Sequence, residues 1–201
     1  MRTQKNKNVI MFTLMERLWH WIQAFSMIAL AITGVAMHYH LGKMEGLTGI
    51  HHLFGWIVAI NFIVWFFYMI VTGRIKQYIP YKGDEYPMGL FKQAKFYIFQ
   101  IYTSNDHPYH VTAEHRMNPL QKVTYVSVMF LMLPIQMITG FLIMFGMADM
   151  KTMLIVHLLA GAFFVLFIFG HAYLATTGHT PLAFFKEMIH GYEEDVVKEE
   201  K

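Results

Sequence analysis

Four histidines of this chain lie inside long apolar stretches, where an imidazole is unusual: His20, His51, His157 and His171. A polar side chain in a membrane span finds no partner in hydrocarbon, so it is by default a candidate for function. One such histidine would usually be a packed, hydrogen-bonded residue, but four of them need a common explanation. Axial ligation of haem iron, with two neutral imidazoles to each iron, would use all four.

The depths of these histidines group them into two pairs. His20 lies near the start of the first apolar stretch and His171 near the end of the fourth, so both belong to one membrane face. His51 and His157 lie near the starts of the second and fourth stretches, at the opposite face. The 14-residue spacing of His157 and His171 places them on one helix face, about 21 Å apart along the axis. That separation suits two stacked haems.

Other metal chemistry fits this sequence poorly. The chain has no cysteine, which excludes disulfides, thiolate metal sites, cysteine-ligated iron–sulfur clusters and covalent c-type haem. A shared zinc or di-iron centre would need ligands clustered at one depth, with carboxylates in ferritin-like sites. The second and fourth apolar stretches offer none.

Two glycines follow the ligand candidates at helical spacing. Gly55 and Gly161 come four residues after His51 and His157, on the same helix face. Without a Cβ they would let a macrocycle lie close to the backbone; helix packing through small residues is the alternative. The motif Ile-Thr-Gly also recurs, at 32–34 and 138–140, and its glycines are weaker candidates for haem contact.

The elements that must hold these residues are membrane helices. The chain has 201 residues, of which 56% are hydrophobic and 14% charged, whereas soluble domains have about 25% charged residues. Segments 18–42, 46–73, 123–148 and 152–185 carry no charged residue, and each exceeds the roughly 20 residues that span a bilayer. We predict an all-α integral membrane four-helix bundle, one domain over 1–201, with helices at about 18–40, 49–72, 122–146 and 152–177.

Basic residues predict the orientation of the bundle. Of the 16 Lys and Arg residues, all but Lys43 and Lys151 lie before the first helix, in or beside the 74–118 connection, or in the tail 178–201. The positive-inside rule therefore places both termini and the connection in the cytoplasm. We expect a multi-pass protein of the bacterial inner membrane, in contact with lipid and with no nucleic-acid partner.

The segments outside the bundle also show helical signals. Residues 88–102 have the pattern of an amphipathic helix lying at the membrane interface. Thr180 and Pro181 suggest an N-cap and a first helical position, so we expect a short helix over about 181–190. The N-terminal apolar run has no small-residue cleavage site after it, which favours a retained anchor over a signal peptide.

These motifs together resemble a known family, the di-haem cytochrome b subunits of membrane-bound formate dehydrogenases and nickel–iron hydrogenases. The formate dehydrogenase gamma subunit is the most similar branch. The resemblance covers essentially the whole chain. It is carried by Arg17-Leu-Trp-His20-Trp21, by His51 with Gly55, by His157 with Gly161 and His171, and by Asn118-Pro-Leu-Gln121-Lys122 before the third helix.

The resemblance implies that His20 and His171 bind a cytoplasmic-side haem b, and that His51 and His157 bind a periplasmic-side haem b. It also implies a menaquinone site, or a site for another quinone, beside the cytoplasmic-side haem. Asn118 and Gln121 would contact the quinone there. The two residues between them, Pro and Leu, are larger than the family pattern leads us to expect. The alternative role of Asn118 is to cap the third helix ahead of that proline.

Two further residues need a choice between roles. His52 adjoins His51, but neighbouring helical residues point about 100° apart, so only one can be the ligand. Depth and the glycine at i+4 both favour His51. Arg17 lies one turn before His20 and is expected to contact a haem propionate or a lipid headgroup.

The function predicted from these features is that of an electron-transfer membrane anchor. An iron–sulfur or multihaem subunit and a catalytic subunit on the periplasmic side would exchange electrons with the His51/His157 haem. The His20/His171 haem would exchange them with quinone. The direction of flow and the status of the chain as an enzyme stay open. Alternatives are a stand-alone cytochrome b that oxidises superoxide and reduces quinone, and a non-redox transporter or structural anchor. The long 74–118 connection argues against the stand-alone form.

Overall fold

The computed structural model describes residues 9–101, 103, 108–109, 117–178 and 182–193. Its helices are α1 (Leu14–His38), α2 (Met44–Val71), α3 (Met88–Lys95), α4 (Pro119–Met144), α5 (Met150–Ala175) and α6 (Ala183–His190). Within the described residues, α1, α2, α4 and α5 are long and apolar enough to cross a membrane. The prediction of an all-α membrane bundle of four helices is confirmed.

The four long helices run alternately up and down, which gives the bundle two distinct ends. We call the end where α1 and α4 begin and α2 and α5 finish the termini end. The opposite end, with the turns 39–43 and 145–149, is the hairpin end. Leu166 and Phe169 on α5 are each 72% exposed, as expected of side chains that face lipid rather than water.

The helices start earlier than the uncharged segments suggest, because their first turns are polar. Thr13 and Glu16 form a reciprocal capping box: Glu16 N donates to Thr13 Oγ1 at 3.3 Å, and Thr13 N donates to Glu16 Oε2 at 2.8 Å. Such a box satisfies two backbone N–H groups at the helix start. Glu16 also binds Arg74 at 3.0 Å. The start of α1 is therefore residue 14, where about 18 was predicted.

The protein core lies between α1, α2 and α4, toward the termini end. Trp65 of α2 is almost fully buried and stacks on Trp19 of α1 with ring centroids 5.2 Å apart. Leu133 of α4 is buried in the same cluster. Asn61 fixes α1 beside α2, since its Nδ2 donates to the Trp19 carbonyl at 3.1 Å and to Gln23 Oε1 at 2.9 Å. These contacts give Asn61 the partners that a polar residue in a membrane helix requires.

The connection between α2 and α4 packs against the start of α4. It contains short 3₁₀ turns at Arg74–Tyr78 and Lys82–Asp84, then α3, which continues as a π-helical turn at Phe96–Gln100. The predicted helix within 88–102 is therefore present. Asp84 accepts hydrogen bonds from Lys122 of α4, and both side chains are buried. Lys122 thus contributes no free positive charge to this end of the bundle.

The tail returns to the start of α1. The predicted short helix is present as α6, while Thr180 and Pro181 lie outside the described residues. A two-residue antiparallel strand pair, which the sequence did not predict, joins β1 (Val9–Ile10) to β2 (Tyr192–Glu193). Gly191 has φ +90°, and its carbonyl accepts from Met11 N at 2.8 Å. Trp21 Nε1 donates to the Met188 carbonyl at 3.1 Å.

Candidate functional site

At the hairpin end, the structure brings His51 of α2 to His157 of α5. Their ring centroids are 6.2 Å apart and the ring planes differ by 69°. His52, the neighbour of His51, points to a different side of α2 because successive residues are rotated by about 100°. The residue that faces His157 is therefore the one favoured by the sequence pattern.

At the termini end, His20 of α1 faces His171 of α5. Their ring centroids are 6.1 Å apart, and the ring planes differ by 52°. Phe167 stacks on the His171 ring at 5.6 Å and Tyr125 of α4 lies at 6.3 Å from it. Helix α5 thus contributes one histidine to each pair, and the two partners come from different helices.

The separation of the rings in both pairs is compatible with one iron between two imidazoles. With metal–nitrogen bonds of about 2 Å, and a ring centre roughly 1.1 Å behind each nitrogen, two opposed ligands have ring centroids about 6 Å apart. The observed separations are 6.1 and 6.2 Å. No three His, Cys, Asp or Glu side chains of the described chain gather into a metal cluster. His157 and His171 lie 14 residues apart on α5, about 21 Å along its axis, so the two pairs are separate sites.

A threonine of α1 determines which nitrogen of His51 carries the proton. Thr33 Oγ1 lies 2.8 Å from His51 Nδ1 and 2.7 Å from the Ala29 carbonyl. The hydroxyl has one hydrogen, which the carbonyl accepts, so the hydroxyl oxygen accepts the N–H of Nδ1. Nε2 of His51 then keeps its lone pair, which is the state that can bind a metal.

Helix α4 repeats the same arrangement for His157. Thr139 Oγ1 lies 3.0 Å from His157 Nδ1 and donates to the Ile135 carbonyl at 2.7 Å. In both cases the threonine precedes its histidine by 18 residues. The sequence contained this signal, because the two threonines are the middle residues of the Ile-Thr-Gly repeat. Their role was missed because the sequence does not show that they face the imidazoles.

The glycines of that repeat lie beside the imidazole rings, and Gly140 makes room for its ring. A Cβ at Gly34 would lie 3.5 Å from His51 Cε1, and one at Gly140 would lie 3.1 Å from His157 Cε1. A contact of 3.1 Å is tight for a Cβ, so Gly140 lets α4 approach α5 closely enough for the Thr139 hydrogen bond. These two glycines therefore contact the proposed ligands themselves.

Gly55 and Gly161, the glycines at i+4 from the proposed ligands, have different surroundings. At Gly55, no heavy atom of the described residues lies within 4 Å of an added Cβ. Packing against the described residues therefore does not require this glycine, and its contact with a cofactor stays a prediction. An added Cβ at Gly161 would lie 3.5 Å from Gln136 Nε2.

Gln136 of α4 contacts the second nitrogen of His157. Its Nε2 lies 3.1 Å from His157 Nε2. Because Nδ1 of this ring carries the proton, Nε2 is the acceptor and the amide donates to it. An iron would need the same lone pair, so haem binding requires that this amide turn away from Nε2. In the sequence, Gln136 stands out only as a polar residue within the uncharged segment 123–148.

Asn118 and Gln121 form a capping box at the start of α4. Asn118 Oδ1 accepts from Gln121 N at 2.9 Å, and Gln121 Oε1 accepts from Asn118 N at 3.0 Å. Asn118 Nδ2 donates to the Tyr97 hydroxyl at 2.9 Å. Burial raises the pKa of Tyr97, so this phenol stays protonated at neutral pH. The capping role is thus present, and the quinone contact of both residues stays a prediction.

Arg17 lies at the termini end beside the tail. Its guanidinium donates to the Ile189 carbonyl at the end of α6. A cation at a helix C-terminus interacts favourably with the exposed carbonyls and the helix dipole. The structure therefore gives Arg17 a role in docking the tail, and its predicted contact with a propionate or a headgroup stays a prediction.

Four membrane-length helices that hold histidines in facing pairs define a class of protein, the membrane-embedded haem-binding helix bundle. The chain belongs to the prokaryotic cytochrome b561 family, whose sequence profile matches residues 11–191. It is therefore a membrane b-type cytochrome of electron transfer, and its cofactor is haem b.

Two relatives support the same assignment. The chain is 30% identical over 202 residues to "Putative cytochrome YdhU" of Escherichia coli (strain K12), covering 94% of this chain and 76% of the relative. It is 26% identical over 150 residues to "Probable Ni/Fe-hydrogenase B-type cytochrome subunit" of Rhizobium leguminosarum bv. viciae. That match covers 68% of this chain and 60% of the relative. Both relatives are cytochromes by name, and one belongs to a hydrogenase.

Proposed function

We propose that this chain holds two haem b groups and carries electrons through the membrane between a partner subunit and quinone. The two histidine pairs support this most directly, with ring centroids 6.1 and 6.2 Å apart at opposite ends of the bundle. His51 and His157 bind the hairpin-end haem, and His20 and His171 bind the termini-end haem. Gly55 and Gly161 lie along the first of these haems.

Besides supplying ligands, each histidine pair would join two helices of the bundle. Haem b, when bound, supplies a one-electron carrier that the protein side chains cannot provide. His20 and His171 tie α1 to α5, and His51 and His157 tie α2 to α5, so ligation also stabilises the bundle. Thr33 and Thr139 hold the hairpin-end imidazoles in the tautomer that presents Nε2.

The orientation follows from the charge distribution, with the termini end in the cytoplasm of a bacterial cell and the hairpin end in the periplasm. A catalytic redox subunit, through an iron–sulfur or multihaem subunit, docks at the hairpin end. The hydrogenase-associated name of one relative supports such a partner. The resemblance to formate dehydrogenase gamma subunits supports the same arrangement.

Quinone, with menaquinone as the leading candidate, binds at the termini end beside His171. Gln121 uses Oε1 in the capping box, which leaves its amide N–H groups as donors for a quinone carbonyl. Asn118 holds Gln121 and the start of α4 in place, and its Nδ2 donates one hydrogen to Tyr97, which leaves the other N–H for the quinone. Water at this face supplies the protons that quinone reduction consumes.

The order of the two haems is tested by removing one ligand from each pair in the complete complex. In His171→Ala, the partner should still reduce the remaining haem, but quinone reduction should stop. In His51→Ala, the partner should no longer reduce the remaining haem, while added quinol should still reduce it. His38→Ala is the matched control, because His38 is an exposed residue of α1. Reduction of the remaining haem by the partner in both variants would contradict the order.

A further inference from the structure

We propose that Thr33 and Thr139 are positioning residues that lower the reduction potential of the hairpin-end haem below that of the termini-end haem. The inference rests on the proposed function, since it takes His51 and His157 as the ligands of one haem. It concerns the difference in reduction potential between the two haems. The identity of the ligands does not determine that difference, because all four are histidines.

The hydrogen bonds at the hairpin end fix both rings in the same state. Thr33 and Thr139 each donate their one hydroxyl hydrogen to a backbone carbonyl, at 2.7 Å in both helices. Each oxygen therefore accepts from Nδ1–H of its histidine. The Gln136 amide nitrogen, which can only donate, lies 3.1 Å from His157 Nε2, and this agrees with a proton on Nδ1 of the ring.

The same arrangement of threonine, glycine and histidine occurs in both helical hairpins. In each half of the bundle a Thr-Gly pair on one helix faces a histidine on the next helix of the hairpin. The threonine binds Nδ1 at 2.8 or 3.0 Å, and the adjacent glycine lies beside the ring, where an added Cβ would be 3.5 Å away at Gly34 and a tight 3.1 Å away at Gly140. Both ligands of the hairpin-end haem therefore have the same hydrogen-bond acceptor behind them.

At the termini end, His20 has no such acceptor behind its ring among the described residues, since its Nδ1 is buried with no hydrogen-bond partner there. An acceptor behind a ligating imidazole raises its basicity and strengthens its donation to the metal. Ferric iron gains more from a stronger donor than ferrous iron, so the hairpin-end haem has the lower potential. Electron transfer from a haem held by His51 and His157 to a haem held by His20 and His171 would then be downhill in free energy.

The test is an optical redox titration of the purified complex, with haem content measured on the same samples. Thr33→Val and Thr139→Val remove the hydroxyl and keep a branched side chain. Thr33→Ser and Thr139→Ser keep the hydroxyl. Thr48→Val is the matched control, because Thr48 lies at the same end of the bundle but its hydroxyl contacts Met37 Sδ at 3.5 Å.

We expect each valine variant to raise the reduction potential of the haem that has the lower potential. The double variant should raise it further. The serine variants and Thr48→Val should match the unmodified protein. Loss of one haem in the valine variants, with both haems kept in the serine variants, would equally show that the hydroxyls position the ligands. Unchanged potentials with two haems bound, or the same haem loss in the serine variants, would overturn the inference. Fewer than two haems in the unmodified complex would instead contradict the proposed function.

Discussion

Lys122 of α4 buries its ammonium group against Asp84 of the connection. Its Nζ lies 2.9 Å from Oδ1 and 2.7 Å from Oδ2, and each side chain is 2% exposed. The Lys122 Nζ also lies 4.4 Å from the centre of the Tyr81 ring, and Tyr81 N donates to Asp84 Oδ2 at 2.9 Å. This pair fixes the 74–118 connection to the helix that begins beside His171.

Breaking the pair from one side should be strongly destabilising. Lys122→Met leaves a buried carboxylate without its cation, which costs about 3–5 kcal/mol. The thermal unfolding midpoint of the detergent-solubilised protein should fall clearly. Lys122→Met combined with Asp84→Asn removes both charges and should recover most of the loss. A double variant as unstable as the single one would show that the charge pairing is not what holds the connection.

The choice between two adjacent histidines gives a second prediction. His51→Ala should reduce the haem content from two per chain to one, because His51 faces His157 at 6.2 Å. His52→Ala should keep two haems, since its side chain is rotated by about 100°. Haem content is measured as pyridine haemochrome per chain. Equal loss in both variants would contradict the pairing.

Gln121 allows the capping and quinone roles to be separated. Gln121→Glu keeps an acceptor for the Asn118 N–H, so the capping box and the unfolding midpoint should be preserved. It lacks amide donors, so quinone reduction should slow roughly fivefold, as expected for one hydrogen bond of about 1 kcal/mol. Gln121→Leu removes both functions and should lower the midpoint as well. Normal quinone kinetics in Gln121→Glu would place the quinone elsewhere.

The membrane bundle could be predicted from the sequence because four uncharged segments of bilayer length have few alternative structures. The pairing of His20 with His171 followed from depth alone, since alternating helices leave few ways to arrange four histidines. The helix starts could not be predicted from charge. Glu16 is compatible with a helix because it belongs to a capping box, and a scan for uncharged segments excludes it.

The details that depend on three-dimensional contact could not be predicted. Asp84 and Lys122 look like ordinary exposed charges in the sequence, and only packing shows that they are buried together. The strand pair Val9–Ile10 and Tyr192–Glu193 is too short to leave a periodic pattern. Thr33 was visible as part of a repeat, but its contact with His51 depends on the helix rotation within the bundle.

The central claim is that each chain holds two haem b groups between facing histidines of two helices. The most direct test is the pyridine haemochrome content of the purified, fully assembled complex, measured per chain by quantitative amino-acid analysis. We expect close to two non-covalent b haems per chain. One haem per chain, or none, in that complex would contradict it.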